Sequence, residues 1–382
     1  MNASDYFAEL GMAWAEPEFS KQDVNAAAKV LVRAMNPGIA SPVSMDDYWK
    51  ALAVINNFRG SHAYPLNTFQ VGLRKNCRRF DGEALVAQRI KRLYSIWHKL
   101  DRFPTMKLSQ IQDIGGCRAI LANVQDVVDV HQYYVKKSAI KHTLASVDDY
   151  VTDPKDSGYR GVHLVYRYFS DKKQKLAYNG LKIEIQLRSK YQHAWATAVE
   201  TVGMFSGQAL KSSLGSEEWK RFFALMGGAL SFREGRPLVP GVPSNRRLLM
   251  SELRDYAHTL HVEDRLKGYR NAVQTLTKDP QGAHYFLLQL DPEGGTLRVT
   301  GFGVSQAQEA ASKYSDAEQE VKQNPGTDAV LVSVESINAL ARAYPNYFAD
   351  TRLFAELLNQ ALAGRSRGIR VSDAQIPLPL DS

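Results

Sequence analysis

The stretch that most constrains this chain is Leu181-Lys182-Ile183-Glu184-Ile185-Gln186-Leu187-Arg188, where a strict period of two separates two chemically opposite faces. Leu181, Ile183, Ile185 and Leu187 share one side, and Lys182, Glu184, Gln186 and Arg188 share the other. A half-buried antiparallel strand shows the same alternation. Four long polar side chains in a row make the second face a candidate floor for a polar site.

Three further segments keep it company. Upstream stands Ile111-Gln112-Asp113-Ile114-Gly115-Gly116-Cys117-Arg118, an acid and an arginine flanking a glycine pair ahead of an apolar run. Between the two lies Asp153-Pro154-Lys155-Asp156-Ser157-Gly158-Tyr159-Arg160-Gly161-Val162-His163, a loop that offers a cation, a flexible backbone and an aromatic before an alternating strand. Earlier comes Arg89-Ile90-Lys91-Arg92-Leu93-Tyr94-Ser95-Ile96-Trp97-His98-Lys99. With a helix beginning near Leu93, Ser95 and Lys99 share a face and Lys91 sits one turn earlier, a ladder suited to a row of phosphates.

In this order and spacing, the four segments resemble the synthetase domain of the RelA/SpoT alarmone synthetases over roughly residues 45–205. The resemblance implies an α/β (α+β) fold, a mixed sheet covered by helices of nucleotidyltransferase-like type, and transfer of pyrophosphate from ATP to a nucleotide 3′-hydroxyl. It further implies that Asp113 and Glu184 hold Mg²⁺, with Glu184 also activating the hydroxyl. Arg89 and Arg118 match the arginines that sandwich adenine, while Lys91, Ser95 and Lys99 match the phosphate ladder. Tyr159 matches the aromatic under the acceptor's base, with Lys155, His163, Gln186 and His193 on the acceptor side. No His-Asp pattern of the family's hydrolase half is present, so the chain resembles a synthetase-only member.

Composition narrows the partners. The chain has 382 residues, enough for two or three domains, and a net charge of +8 that favours an anionic partner. Residues 71–107 hold ten Lys/Arg against three acids, and Arg74, Lys75, Arg78 and Arg79 lie just ahead of the ATP motif. That cluster suits tRNA phosphates beyond the reacting nucleotide, and equally suits a solvated basic face. The resemblance leaves two acceptors open: the 3′-terminal adenosine of tRNA, as in toxic relatives, or GDP/GTP. The only cysteines are Cys77 and Cys117, which argues against a zinc finger or a disulfide framework and fits a reducing cytoplasm. Met1 to Trp14 has no signal-peptide pattern, and the apolar run Phe222 to Phe232 is too short to span a bilayer and reads as a buried helix.

Along the chain, the first 110 residues read mainly as helices, and residues 111–188 as short strands with a helix over 124–136. Three prolines in Gly235 to Pro243 mark a break, after which Arg246 to Lys278 reads as one long amphipathic linking helix. The expected division is a synthetase (toxin) domain over 1–278, a smaller α/β domain over 279–364 and a tail over 365–382. The strand-strand-helix-strand-helix order of the second part resembles the pseudo-zinc-finger module of fused toxin-antitoxin synthetases of the CapRel kind. That resemblance implies self-inhibition through Tyr344-Pro345-Asn346-Tyr347 at the ATP site, relieved by a phage capsid protein docking on residues 281–363. Pro345 is expected to open a helix.

Overall fold

A computed structural model describes residues 14–36, 43–137, 140–205, 216–272, 274–278, 283–291, 294–323, 327–333, 337–348 and 350–363. The expected tail over 365–382 lies outside them. Ser44 accepts the Asp47 amide and so caps the helix Met45–Gly60 (α2), as its position before the apolar pattern predicts. This helix packs with Lys21–Met35 (α1), and Ala63–Cys77 (α3) follows. The chain then forms β1 (Leu85–Ile90), α4 (Leu93–Arg102), β2 (Gly115–Leu121), α5 (Val124–Gln132), β3 (Thr143–Asp149), β4 (Val162–Arg167) and β5 (Lys182–Ser189). Strand β1 is the main departure from the helical reading of the first 110 residues. Its six residues are too few to show a clear period, and only its neighbours on both sides make it a strand.

Helices α6 (Lys190–Phe205), α7 (Glu217–Glu234), α8 (Arg246–Thr259) and α9 (Val262–Ala272) come next. The single linking helix expected over 246–278 is therefore corrected to two helices and a strand, β6 (Gln274–Lys278). The break falls where His261 adopts a left-handed φ of 48°, which no helix interior accommodates. β-branched Thr275 and Thr277, alternating with longer side chains, favour an extended backbone beyond it. The remaining elements are β7 (Tyr285–Asp291), β8 (Thr296–Phe302), α10 (Ala307–Gln323), β9 (Asp328–Ser333), α11 (Ile337–Ala343) and α12 (Arg352–Leu362). The element order from β7 to α11 is the one expected from sequence. Pro345 is a correction: it sits in a turn, its carbonyl accepting the Phe348 and Asp350 amides, and opens no helix.

Among the described residues, the nine strands join one mixed sheet, in the order β3-β4-β5-β2-β1-β9-β7-β8-β6. Strand β9 pairs antiparallel with β1 through Gln88–Ser333 and Arg89–Val332, so the expected boundary near residue 279 is not a break in the sheet. The last helix, α12, likewise buries Phe354, Leu357 and Leu358 among Trp219, Phe222 and Phe223 of α7. One sheet face, carrying Val86, Cys117, Ala119, Ile183, Ile185 and Leu187, packs against α3 and α5. Its other face is polar on β1, β2 and β5, and apolar on β7, β8 and β9, where α11 covers Phe286, Leu288, Val299, Val330 and Val332. Among the described residues, no helix is long and apolar enough to cross a membrane.

Candidate active site

Register brings the separate sequence segments onto the polar face. Arg89 on β1 lies opposite Gly116 on β2, which lies opposite Glu184 on β5. One rung along, Arg118 faces Gln186, which faces His163 on β4. A side chain at Gly116 would put its Cβ 3.9 Å from Glu184 Oε2, so the glycine keeps the floor open between Arg89 and Glu184. The loop bearing Tyr159 is held by a second close approach. Gly158, at φ +92°, packs on α7 so tightly that a Cβ on Gly227 would meet its Cα at 2.7 Å. Nothing in the spacing of the sequence signals that contact.

At one end of the floor, Asp113 Oδ2 accepts from Lys91 Nζ at 2.6 Å and its Oδ1 from Lys99 Nζ at 3.1 Å. Burial pushes this carboxyl up, but the two ammonium groups outweigh burial and hold it well below the usual carboxylate range. Burial likewise depresses Lys91. Ser95 stands half-buried on α4 between them in sequence.

At the other end a polar chain runs across the floor. Gln186 Nε2 donates to Glu184 Oε2 at 2.6 Å, and Glu184 Oε1 lies 2.8 Å from His163 Nδ1. His163 Nε2 is 2.5 Å from the Tyr159 hydroxyl, which also accepts from Arg188 Nη2 at 3.0 Å. Against the cost of burial, the Tyr159 and Glu184 neighbours raise His163 to about 9. Against the same cost, Arg188 and His163 lower Tyr159 to about 7. Glu184 is lowered too, because the His163 and Gln186 hydrogen bonds outweigh its burial. Lys155 is exposed, with its ammonium 5.7 Å from the Tyr159 ring.

Arg188 belongs to the polar face of the alternating strand but carried no role in the sequence reading. It is buried with its Nε unpartnered, as are Arg118 Nε, Gln186 Oε1 and His193 Nδ1. Orphaned buried polar atoms of this kind are costly, and these four lie around one floor. Burial, followed by repulsion from Arg188 and Arg89, depresses the Arg118 guanidinium.

This floor is covered from the C-terminal side. The Tyr344 ring lies 6.0 Å from the Arg118 guanidinium, and its hydroxyl donates to the Gln88 carbonyl at 3.2 Å. Tyr347 is also buried, yet it reaches a different arginine: Arg92 Nη1 donates to its hydroxyl at 3.0 Å, and that hydroxyl donates to Asp328 Oδ2 at 2.9 Å. Arg92 and Asp328 close the triangle as an ion pair. His193 Nε2 donates to the Arg342 carbonyl at 3.3 Å, so the cover reaches it as well.

The basic cluster is not brought to the site. Arg74 and Lys75 lie in the last turn of α3, where cations complement the helix dipole, with Arg78 and Arg79 just beyond, and α3 packs on the opposite sheet face. Lys75, Arg78 and Arg79 are exposed, and Arg79 Nη1 donates to the Tyr133 hydroxyl at 3.0 Å.

Residues 88–204 match the family model described as the region found in RelA / SpoT proteins. This stretch is similar to the RelA/SpoT region. It spans β1 to α6 and so contains Arg89, Lys91, Ser95, Lys99, Asp113, Arg118, Tyr159, His163, Glu184, Gln186 and His193. Over 151 residues the chain is 26% identical to the GTP pyrophosphokinase of Escherichia coli (strain K12), covering 38% of this chain and 18% of that protein. Over 118 residues it is 32% identical to the GTP pyrophosphokinase YjbM of Bacillus subtilis (strain 168), covering 29% of this chain and 52% of the relative. The chain thus spans about a fifth of the first relative and about half of the second. Among solved structures, the small alarmone synthetase 1 of Bacillus subtilis bound to its product pppGpp matches with 23% identity and a TM-score of 0.37, covering 47% of this chain and 96% of that one.

The matched stretch offers a divalent cation two half-buried carboxylates, Asp113 and Glu184, which sense each other's charge. No cluster of three His, Cys, Asp or Glu suited to a metal occurs among the described residues. Two hard oxygen donors fit Mg²⁺, which takes one or two carboxylates and completes its shell with water and substrate phosphates.

Proposed function

We propose that this chain is an ATP-dependent pyrophosphokinase held off by its own C-terminal strands and helices. The observation that carries the reading is the Tyr344 ring over Arg118 on a floor of buried, partly unpartnered arginines. A flat guanidinium under an aromatic ring is the arrangement an adenine would take up, and the tyrosine stands in the way. With the cover lifted, Arg89 and Arg118 are free to sandwich the base. Lys91, Ser95 and Lys99 then face the triphosphate, and Lys91 and Lys99 exchange Asp113 for phosphate oxygens. When bound, Mg²⁺ offsets charge on those oxygens and is held by Asp113 and Glu184. The acceptor's base stacks on Tyr159, flanked by Lys155, His163 and Gln186. Its 3′-oxygen attacks the β-phosphorus of ATP, Glu184 takes the hydroxyl proton, and the bond from the β-phosphorus to the α-phosphate oxygen breaks to release AMP.

The acceptor we propose is the 3′-terminal adenosine of tRNA, whose modification blocks translation, making the chain a cytoplasmic toxin of the CapRel kind in anti-phage defence. Exposed Lys75, Arg78 and Arg79 support it as distant phosphate contacts. A phage capsid protein docking on residues 281–363 is the proposed activator. A second reading, transfer to GDP or GTP with the C-terminal part as a binding or oligomerisation module, is favoured by the relatives' names as GTP pyrophosphokinases. Incubating ATP labelled at the γ-phosphate with bulk tRNA and, separately, with GDP decides between them. Label on tRNA is the expected result, and label on GDP or GTP alone overturns the tRNA reading.

A further inference from the structure

Residues 91–93 join β1 to the ladder helix α4, and the C-terminal strands and helices grip them from more than one side. Arg92 is held by Asp328 and Tyr347. Helix α4 has no cap of its own: the Arg92 side chain at the N-cap accepts from no helix N–H, and the first turn holds no acid. Its first free N–H, on Leu93, instead donates at 2.8 Å to Glu318 Oε1, a carboxylate 225 residues away on α10. The same carboxylate takes both Nη atoms of Arg59, each at 2.9 Å, and the Tyr314 hydroxyl at 2.7 Å. Arg59 Nε donates to the Lys91 carbonyl at 3.0 Å. The Arg59 and Glu318 side chains are only 7% and 11% exposed, so the pair is screened little by salt.

We propose that Glu318 is a second, ionic latch that holds the C-terminal strands and helices closed by pairing with Arg59 and capping the ladder helix, from the opposite side of the sheet to Tyr344. The proposal rests on the self-inhibited reading above. A carboxylate at a helix N-terminus satisfies an otherwise orphaned donor and complements the dipole. A bidentate buried pair adds direction and is strongly destabilised by removal of one partner. Other acids of α10, such as Glu309 and Glu320, face solvent, so the latch belongs to Glu318 alone on that helix among the described side chains. The tyrosines block the floor, and Glu318 ties the helix that carries Ser95 and Lys99 to the same moving part.

The test uses full-length protein carrying Glu318→Gln, with Tyr344 and Tyr347 intact. Amide hydrogen exchange reads the β1–β9 seam at Arg89 and Val332, and binding of a non-hydrolysable ATP analogue reads access to the floor. Removing one charge of the buried pair should raise the open fraction about 100-fold. The β7–β8 hairpin, at Leu288 and Val299, should stay protected. Arg59→Met combined with Glu318→Met, which replaces both charges by apolar groups of similar length, should restore most of the seam protection. Unchanged seam exchange in Glu318→Gln overturns the latch. Loss of protection in the hairpin as well as the seam overturns it too, since Glu318 would then only support the fold. A double variant as open as the single assigns the effect to packing and overturns the ionic latch. Should the seam open and the analogue bind while no pyrophosphate is transferred to any acceptor, the latch stands and the pyrophosphokinase reading falls.

Discussion

One sheet face carries two regions of opposite chemistry. Over β1, β2, β4 and β5 it presents Arg89, Arg118, Arg188, Glu184, Gln186 and His163, while over β7, β8 and β9 it presents Phe286, Leu288, Val299, Val330 and Val332. The apolar region closes under α11 by burying side chains, which needs no specific geometry. The polar region leaves the Arg118 and Arg188 Nε atoms buried without partners, which costs stability. Tyr344 and Tyr347 belong to both, since their rings join the apolar cluster while their hydroxyls reach Gln88, Arg92 and Asp328. On the proposed self-inhibited reading, such a cover is stable because it is partly core, and its polar contacts are the ones a substrate or partner would replace.

The comparison breaks most sharply at the carboxylates. Asp113→Asn and Glu184→Gln should each lower pyrophosphate transfer at least about 100-fold, the scale of a lost base or charge partner. Both variants should remain folded by circular dichroism, and near-normal turnover on either acceptor would remove them from the site. Asp113 also gives a pH signature. Its folded value lies below the unfolded one, near 3.9, so its stabilising effect is present above that pH and is lost as pH falls. Thermal melts of Asp113→Asn should therefore show a shallower loss of stability below about pH 4 than the parent protein.

Next in size are the tyrosines, which test whether the shared residues act as cover or as core. Tyr344→Ala removes the ring from Arg118 and Tyr347→Ala removes an acceptor from Arg92. Each should make the full chain toxic to its host without phage, as a closed state favoured by only a few kcal/mol loses its hold. Adding Asp113→Asn should silence that toxicity. Variants that are merely unstable and harmless, together with a harmless fragment of residues 1–275, would leave the tyrosines as core only.

Smaller effects separate the floor from its surroundings. Reversing Arg78 and Arg79 to Glu should weaken tRNA modification steeply, by tenfold or more at moderate salt, and leave transfer to GDP nearly unchanged. Arg188→Gln, which removes the 3.0 Å bond to Tyr159, should raise the acceptor KM several-fold, about 1 kcal/mol, with little change in the KM for ATP.

Much of the floor is legible in the sequence because a strand writes its faces as a period of two. Glu184, Gln186 and Arg188 could be put on one side without knowing any neighbour, and the break at Gly235 and the helix starting after Ser44 follow from local backbone chemistry. The seam is a different case. Arg59, Glu318 and Asp328 sit in helices and a strand end where a charge normally faces water, and Glu318 and Asp328 are 225 or more residues from the Arg59, Arg92 and Leu93 groups they bind. Pairing of β9 with β1, which turns an expected second domain into the continuation of the first sheet, depends on edges meeting in space. Local periodicity and capping act within a few residues, so sequence alone determined most of the helices, the alternating strand of the floor and its polar face, while β1, β6 and the break at His261 needed their neighbours. Which face is covered, by which tyrosine, and how the ladder helix is capped are set by long-range packing, and only the tertiary structure decided them.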